Sequence, residues 1–160
     1  MLLGENVTQD FQLPLDPIPL ETIVGVGEAD EISVSSRKPW TKTGIRLNEG
    51  DEVTVTATGR VHPCLKATCG NPRHERWLGP KGSTDHPIVF DNGIPHMALM
   101  GRIGEWSPFS IGSELSFEAL VDGDLYLGVN DDPGTFGDNA GAFKVTIRRR
   151  REPDASENGT

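Results

Sequence analysis

Short alternations of apolar and polar residues dominate this chain. EISVS at 31–35 alternates, and EVTVTAT at 52–58 puts Val53, Val55 and Ala57 on one face, the period-two signature of a half-buried strand. Between them, LNEGDE (47–52) carries a turn signature, with Asn48 and Gly50 both suited to positive φ. MALMGRI (97–103) is apolar nearly throughout and predicts a largely buried strand. LSFEAL (115–120) alternates again, Gly123-Asp124 fits a hairpin turn, and Leu125, Leu127 and Val129 share one face beyond it. The last strand sets Phe143, Val145 and Ile147 inward and Lys144, Thr146 and Arg148 outward. No stretch holds a helical period over three turns. Short strands at regular spacing without helices predict an all-β fold, a jelly-roll-like β-sandwich of two antiparallel sheets.

Composition agrees with this reading. Nineteen glycines and twelve prolines in 160 residues supply turns, and the chain is long enough to bury a core as one domain. Residues 1–20 hold three prolines without periodicity and are expected to form an extended arm. Residues 21–150 would be the sandwich domain, and the polar 151–160 a disordered tail. No run approaches the roughly 18 apolar residues of a membrane helix, so membrane insertion is not expected. A formal net charge of −9 argues against nucleic-acid binding, which needs clustered Lys and Arg on phosphates. The one basic cluster, Arg148 to Arg151, reads as a solvated strand end. The N-terminal residues lack the basic region and compact apolar core of a secretory signal. The expected location is the cytoplasm, or an exported one reached without a recognisable signal peptide.

Residues 61–95 form a long stretch rich in Pro, Gly and His, and so long a loop inside a compact domain usually carries function. It contains Cys64 and Cys69, with His62 and His74 close by. Three readings stay open there: a short-loop disulfide, a His/Cys zinc site, or reduced loop cysteines. The paired C-x-x-C knuckle of many zinc sites is missing.

The densest chemistry lies in NDDPGTFGDNAGAF (130–143), with three carboxylates, two amides and three glycines between two strands. Calcium takes six to eight oxygen ligands from carboxylates, amides, backbone carbonyls and water. Asp131, Asp132, Asp138 and Asn139 offer side-chain oxygens, while Gly134 and Gly137 allow the sharp folding that aims carbonyls inward. Close carboxylates repel unless a cation or a proton sits between them. The spacing is not that of an EF-hand, and turns favour Asp, Asn and Gly anyway. Chemistry alone leaves a calcium site and a polar turn equally open.

Several segments together resemble the PA-IL-like family, calcium-dependent galactose-binding lectins of bacteria. They are GDEVTVTATG from Gly50, WLGPKG from Trp77, Asp85-His86-Pro87, ALMGRIG from Ala98 and NDDPGTFGDNAGAFKV from Asn130, spanning residues 45–149. The resemblance implies a jelly-roll sandwich with one Ca2+ per subunit that bridges protein and sugar. Asp131, Thr135 (through its carbonyl), Asp138 and Asn139 would hold the metal. A further backbone carbonyl would come from the loop after Gly59, where Pro63 or Cys64 is nearest by count. Sugar contacts would fall to His86, Asp131, Asp132, Thr135, Asp138 and Asn139. Trp77 is a candidate to cover the sugar's apolar side, beside an equally open role in the core. The resemblance also implies galactosides as partners, no catalysis, and homo-oligomers, since a shallow site gains affinity from several copies.

Three positions and one loop depart from the family: Asp132 replaces an apolar residue whose role is a backbone contact, and the loop after Gly59 is longer. Val89 stands where the family has a glutamine, which removes a hydrogen bond to the sugar. Asp138 stands where it has an asparagine, which keeps an oxygen but adds charge. These departures favour a second expectation, a structural or interaction module whose calcium only stabilises the loop. A hydrolase using Asp131, Asp132 and His86 is a third, although neither Gly-x-Ser-x-Gly nor His-Glu-x-x-His occurs.

Overall fold

The computed structural model describes residues 13–19, 29–64, 77–83, 93–131 and 134–150. Among the described residues, nine strands run in the order β1 (Leu15–Pro17), β2 (Ala29–Ser35), β3 (Thr41–Leu47), β4 (Glu52–His62), β5 (Leu99–Ile103), β6 (Phe109–Ser110), β7 (Glu114–Ala119), β8 (Gly123–Val129) and β9 (Ala140–Arg150). They form a five-stranded sheet, β1-β7-β4-β9-β2, and a four-stranded sheet, β3-β8-β5-β6. Every pairing is antiparallel. The expected β-sandwich is therefore the observed architecture. Among the described residues, no helix is long and apolar enough to cross a membrane.

The core lies between the sheets and follows the alternation. Val53, Val55, Phe117, Phe143 and Val145 of one sheet meet Leu99, Ile103, Leu125, Leu127 and Val129 of the other, all fully buried. Phe109 and Phe117 join the layers edge to face, with ring centroids 5.4 Å apart. Gly101 makes room for this pair, because a Cβ there would stand 2.8 Å from the Phe109 ring. On the opposite face of β4 from the core, Thr54 Oγ1 and Ser116 Oγ lie 2.9 Å apart and buried. Ser116→Ala strands the Thr54 hydroxyl and is expected to cost about 1–2 kcal/mol in urea unfolding. Adding Thr54→Val should return most of that loss, because no orphaned hydroxyl remains.

The longest pairing is β4 with β9, in register from Glu52↔Arg150 to His62↔Ala140. It ends beside the oxygen-rich loop and sets where that loop starts. At the far end the arginines cover the strand edge: Arg150 pairs with Glu52, and Arg149 Nη1 donates to the Arg46 carbonyl at 2.7 Å.

Four details differ from the sequence pattern. Gly123-Asp124 is not a hairpin turn but the start of β8, which lies in the opposite sheet from β7. Alternation fixes which face is buried, not which strand is the neighbour. Gly123 also packs where a Cβ would come within 3.0 Å of Ile103 Cγ2. The strand expected from Met97 begins at Leu99, because Met97 takes φ +67. In the 47–52 turn only Gly50 takes positive φ, at +96. Asn48 instead donates its N–H to Asp51 Oδ2 and accepts the Asp51 N–H, at 2.9 and 3.0 Å. Finally, Leu15–Pro17, within the stretch expected as an arm, pairs with β7 at the sheet edge.

Candidate functional site

The loop between β8 and β9 is drawn together by its own side chains and by two distant segments. Asp131 and Asn139, eight residues apart, are both buried, and Asn139 Nδ2 donates to Asp131 Oδ2 at 2.9 Å. The same Nδ2 donates to the Ser36 carbonyl at 2.7 Å. Ser36 in turn donates its N–H and its hydroxyl to the Gly141 carbonyl, at 3.1 and 2.9 Å. Arg37 Nη2 reaches the Gly137 carbonyl at 3.2 Å. The connection after β2 thus clasps the base of the loop. A short 3-10 turn, Phe136–Asp138, closes it, and the Asn139 N–H donates to the Phe136 carbonyl.

These bonds fix the Asn139 amide. With Nδ2 between a carboxylate and a carbonyl, reversing the amide would set oxygen against oxygen. Asn139 Oδ1 is therefore the atom left over, and it is buried with no hydrogen-bond donor. Asp138 Oδ1 is in the same condition. Buried acceptors without donors are costly, and two such oxygens next to each other in sequence, with a buried carboxylate bonded to one of their residues, suit a hard cation. The residues present fit calcium, which favours carboxylate, amide and carbonyl oxygens. Among the described residues no group of three His, Cys, Asp or Glu side chains converges, so a cation here would need amide and backbone oxygens beside the Asp131 carboxylate.

A further wall is supplied by β4. Pro63 and Cys64 follow directly after the last β4–β9 pair, His62↔Ala140, and both are buried. The Cys64 N–H donates to His62 Nδ1 at 3.1 Å. Cys64 is disulfide-bonded, which corrects the zinc and reduced-thiol readings by removing the thiolate that zinc needs. Cys69, like His74, lies outside the described residues.

Trp77 is not a core residue. It is 47% exposed, stacks edge-on to His62 at 5.3 Å, and lies where a Cβ on Gly141 would come within 2.9 Å of its ring. An exposed indole therefore stands beside the root of the loop.

Of the expected site residues, Asp131 and Asn139 are joined by a hydrogen bond, and Asp138 directly precedes Asn139 in the chain. Thr135 is exposed, directly before the 3-10 turn. His86 and Asp132 lie outside the described residues. One residue went unnoticed in the sequence: His96 is buried, with Nε2 2.8 Å from Asp131 Oδ1. It sits three residues before β5. Only the β5–β8 pairing, with Leu99 opposite Val129, carries it to the start of the loop.

Residues 33–152 match the family model described as PA-IL-like protein. Lectin A of Photorhabdus laumondii subsp. laumondii is 36% identical over 108 residues, covering 66% of this chain and 78% of that protein. The N-terminal domain of EclA, titled a PllA-like lectin, superposes with a TM-score of 0.58 at 21% identity, covering 75% of this chain and 95% of that one. The last likeness speaks for the fold. The family match and the Lectin A identity go further, and the chain belongs to the PA-IL-like protein family.

Proposed function

We propose that this protein is a non-enzymatic lectin that binds carbohydrate at the 131–139 loop in a calcium-dependent way, with galactosides as the first class to test. The observation that carries the reading is the pair of buried, donorless oxygens Asp138 Oδ1 and Asn139 Oδ1, set beside the buried Asp131 carboxylate. Asp131, Asp138 and Asn139 would hold the ion with their side chains, with Thr135 and Pro63 or Cys64 contributing carbonyls. Bound there, calcium supplies a hard cation on which neighbouring sugar hydroxyls replace water. The carboxylates of Asp131 and Asp138 read hydroxyl direction, because an ionised carboxylate only accepts. Asp132 and His86 are assigned to further sugar hydroxyls. Trp77, half exposed beside Gly141, offers an aromatic face to the apolar side of the sugar.

A shallow site of this kind binds weakly alone, so homo-oligomers are expected to raise avidity. The Cys64 disulfide favours action in an oxidising, exported setting, where such bonds persist.

Val89 and Asp138 favour one competing reading, in which calcium stabilises the loop and no sugar binds. A broad glycan array, run with calcium and with a chelator, separates the two. Galactoside signals that vanish on chelation are expected. An array blank in both conditions, with a melting temperature raised by calcium, would hand the site to the structural reading.

A further inference from the structure

The approach to β5 is held in a conformation that an ordinary loop has no need of. Met97 is the one non-glycine residue with positive φ among those described, at +67. Such backbone costs roughly 1–2 kcal/mol and persists only where its surroundings enforce it. Asn130 does the enforcing. Its carbonyl accepts the Met97 N–H at 2.6 Å, and its N–H donates to the Ala98 carbonyl at 3.0 Å. Its Nδ2 donates to the carbonyls of Ile94 and Pro95, at 2.8 and 3.3 Å. On the other flank, the Ser83 N–H donates to the His96 carbonyl at 2.9 Å. His96 is thus gripped on both sides by the residue that precedes Asp131 and by the 77–83 segment.

The grip sets His96 against Asp131. His96 Nε2 lies 2.8 Å from Asp131 Oδ1, with the two side chains 5% and 6% exposed. An ionised carboxylate only accepts, so Nε2 is the donor. The other oxygen, Oδ2, accepts from Asn139 Nδ2 at 2.9 Å. Asp131 is therefore held between donors from opposite sides, and its carboxylate cannot rotate without losing one of them.

We infer that His96 is a positioning residue for the Asp131 carboxylate, orienting it for Ca2+ so that less ordering remains to be done when the ion arrives. The inference rests on the calcium reading of the loop. Groups that hydrogen-bond a metal-ligating carboxylate tune affinity strongly, and losing one typically weakens metal binding about 10–100-fold. The strained Met97 then has a purpose: it turns the backbone so that the imidazole enters the loop rather than the core.

The test is calorimetric titration of Ca2+ alone into chelator-stripped protein, for wild type, His96→Ala and His96→Gln, with melting temperatures recorded without calcium. His96→Ala should bind Ca2+ about 10–100-fold more weakly. His96→Gln, which keeps a side-chain N–H donor, should recover part of that loss. Galactoside affinity measured at saturating Ca2+ should return close to wild type, because the defect lies in the ion's affinity. A purely structural histidine would instead lower the calcium-free melting temperature and leave Ca2+ affinity unchanged. Wild-type Ca2+ affinity in folded His96→Ala overturns the inference, and if that variant does not fold, His96→Gln with no loss of affinity and a lowered calcium-free melting temperature does the same. A wild-type protein that takes up no Ca2+ overturns the calcium reading itself, an outcome distinct from both.

Discussion

Asp131→Asn is expected to abolish calcium-dependent sugar retention while leaving a folded domain. The substitution is isosteric, so shape is not the issue. Asp131 Oδ1 and Oδ2 both face donors, His96 Nε2 at 2.8 Å and Asn139 Nδ2 at 2.9 Å. An amide at this position must turn its NH2 toward one of them, which either sets donor against donor or forces His96 into the other tautomer. It also removes the buried negative charge that faces the proposed cation. Losing one partner of a buried ion pair costs about 3–5 kcal/mol, or roughly two to four orders of magnitude in affinity. Calorimetric Ca2+ titration and galactose-agarose retention both read this loss. The strands and core are untouched, so the calcium-free circular dichroism spectrum should match wild type. Galactose retention equal to wild type in this variant would move the sugar away from the loop.

The second large effect falls where the sandwich meets the site. Gly141→Ala is expected to lower stability by about 2–5 kcal/mol, as strain of left-handed backbone adds to overpacking against fixed neighbours. Gly141 has φ +88, and a Cβ there would lie 2.4 Å from the Arg60 carbonyl oxygen and 2.9 Å from the Trp77 ring. The first obstacle is backbone of the paired strand, so relief requires β4 and β9 to separate. The Gly141 carbonyl also accepts both bonds from Ser36, so the clasp on Asn139 should loosen and Ca2+ affinity fall with it. Gly134→Ala is the matched control. Gly134 has the same φ of +88 but nothing within 4 Å of its would-be Cβ, so only the backbone strain of about 1–2 kcal/mol should appear. Denaturant midpoints for the two variants separate the contributions. Equal losses would show that the contact with β4 is not tight.

Much of the sandwich was legible because alternation is local. Val53, Val55 and Ala57 of β4 and Phe143, Val145 and Ile147 of β9 are the buried alternate positions that the sequence indicates, although Thr54 is buried on the other face. Partners are not local, and there the reading broke down. Leu125, Leu127 and Val129 announce an inward face, yet nothing in them says that β8 pairs with β3 and β5 rather than with β7. The strand β3 escaped notice because only Ile45 and Leu47 of TKTGIRL are apolar, although its exposure alternates.

The site divides in the same way. Asp131, Asp138 and Asn139 stand out as oxygen-bearing side chains crowded into one loop, and Asp131 and Asn139 do meet there. His96 carries no such mark, since it stands 35 residues before Asp131 and meets it only through strand pairing. Trp77 was equally a core or a surface residue by sequence, and its 47% exposure decides the matter.

Calorimetry on the chelator-stripped chain gives the most direct test of calcium-dependent sugar binding. Ca2+ is titrated first, and methyl galactoside is then titrated into the loaded and the stripped protein. One Ca2+ per chain is expected, with galactoside heat only in the loaded form. Galactoside binding of equal strength in the stripped protein, or no Ca2+ uptake at all, would contradict it.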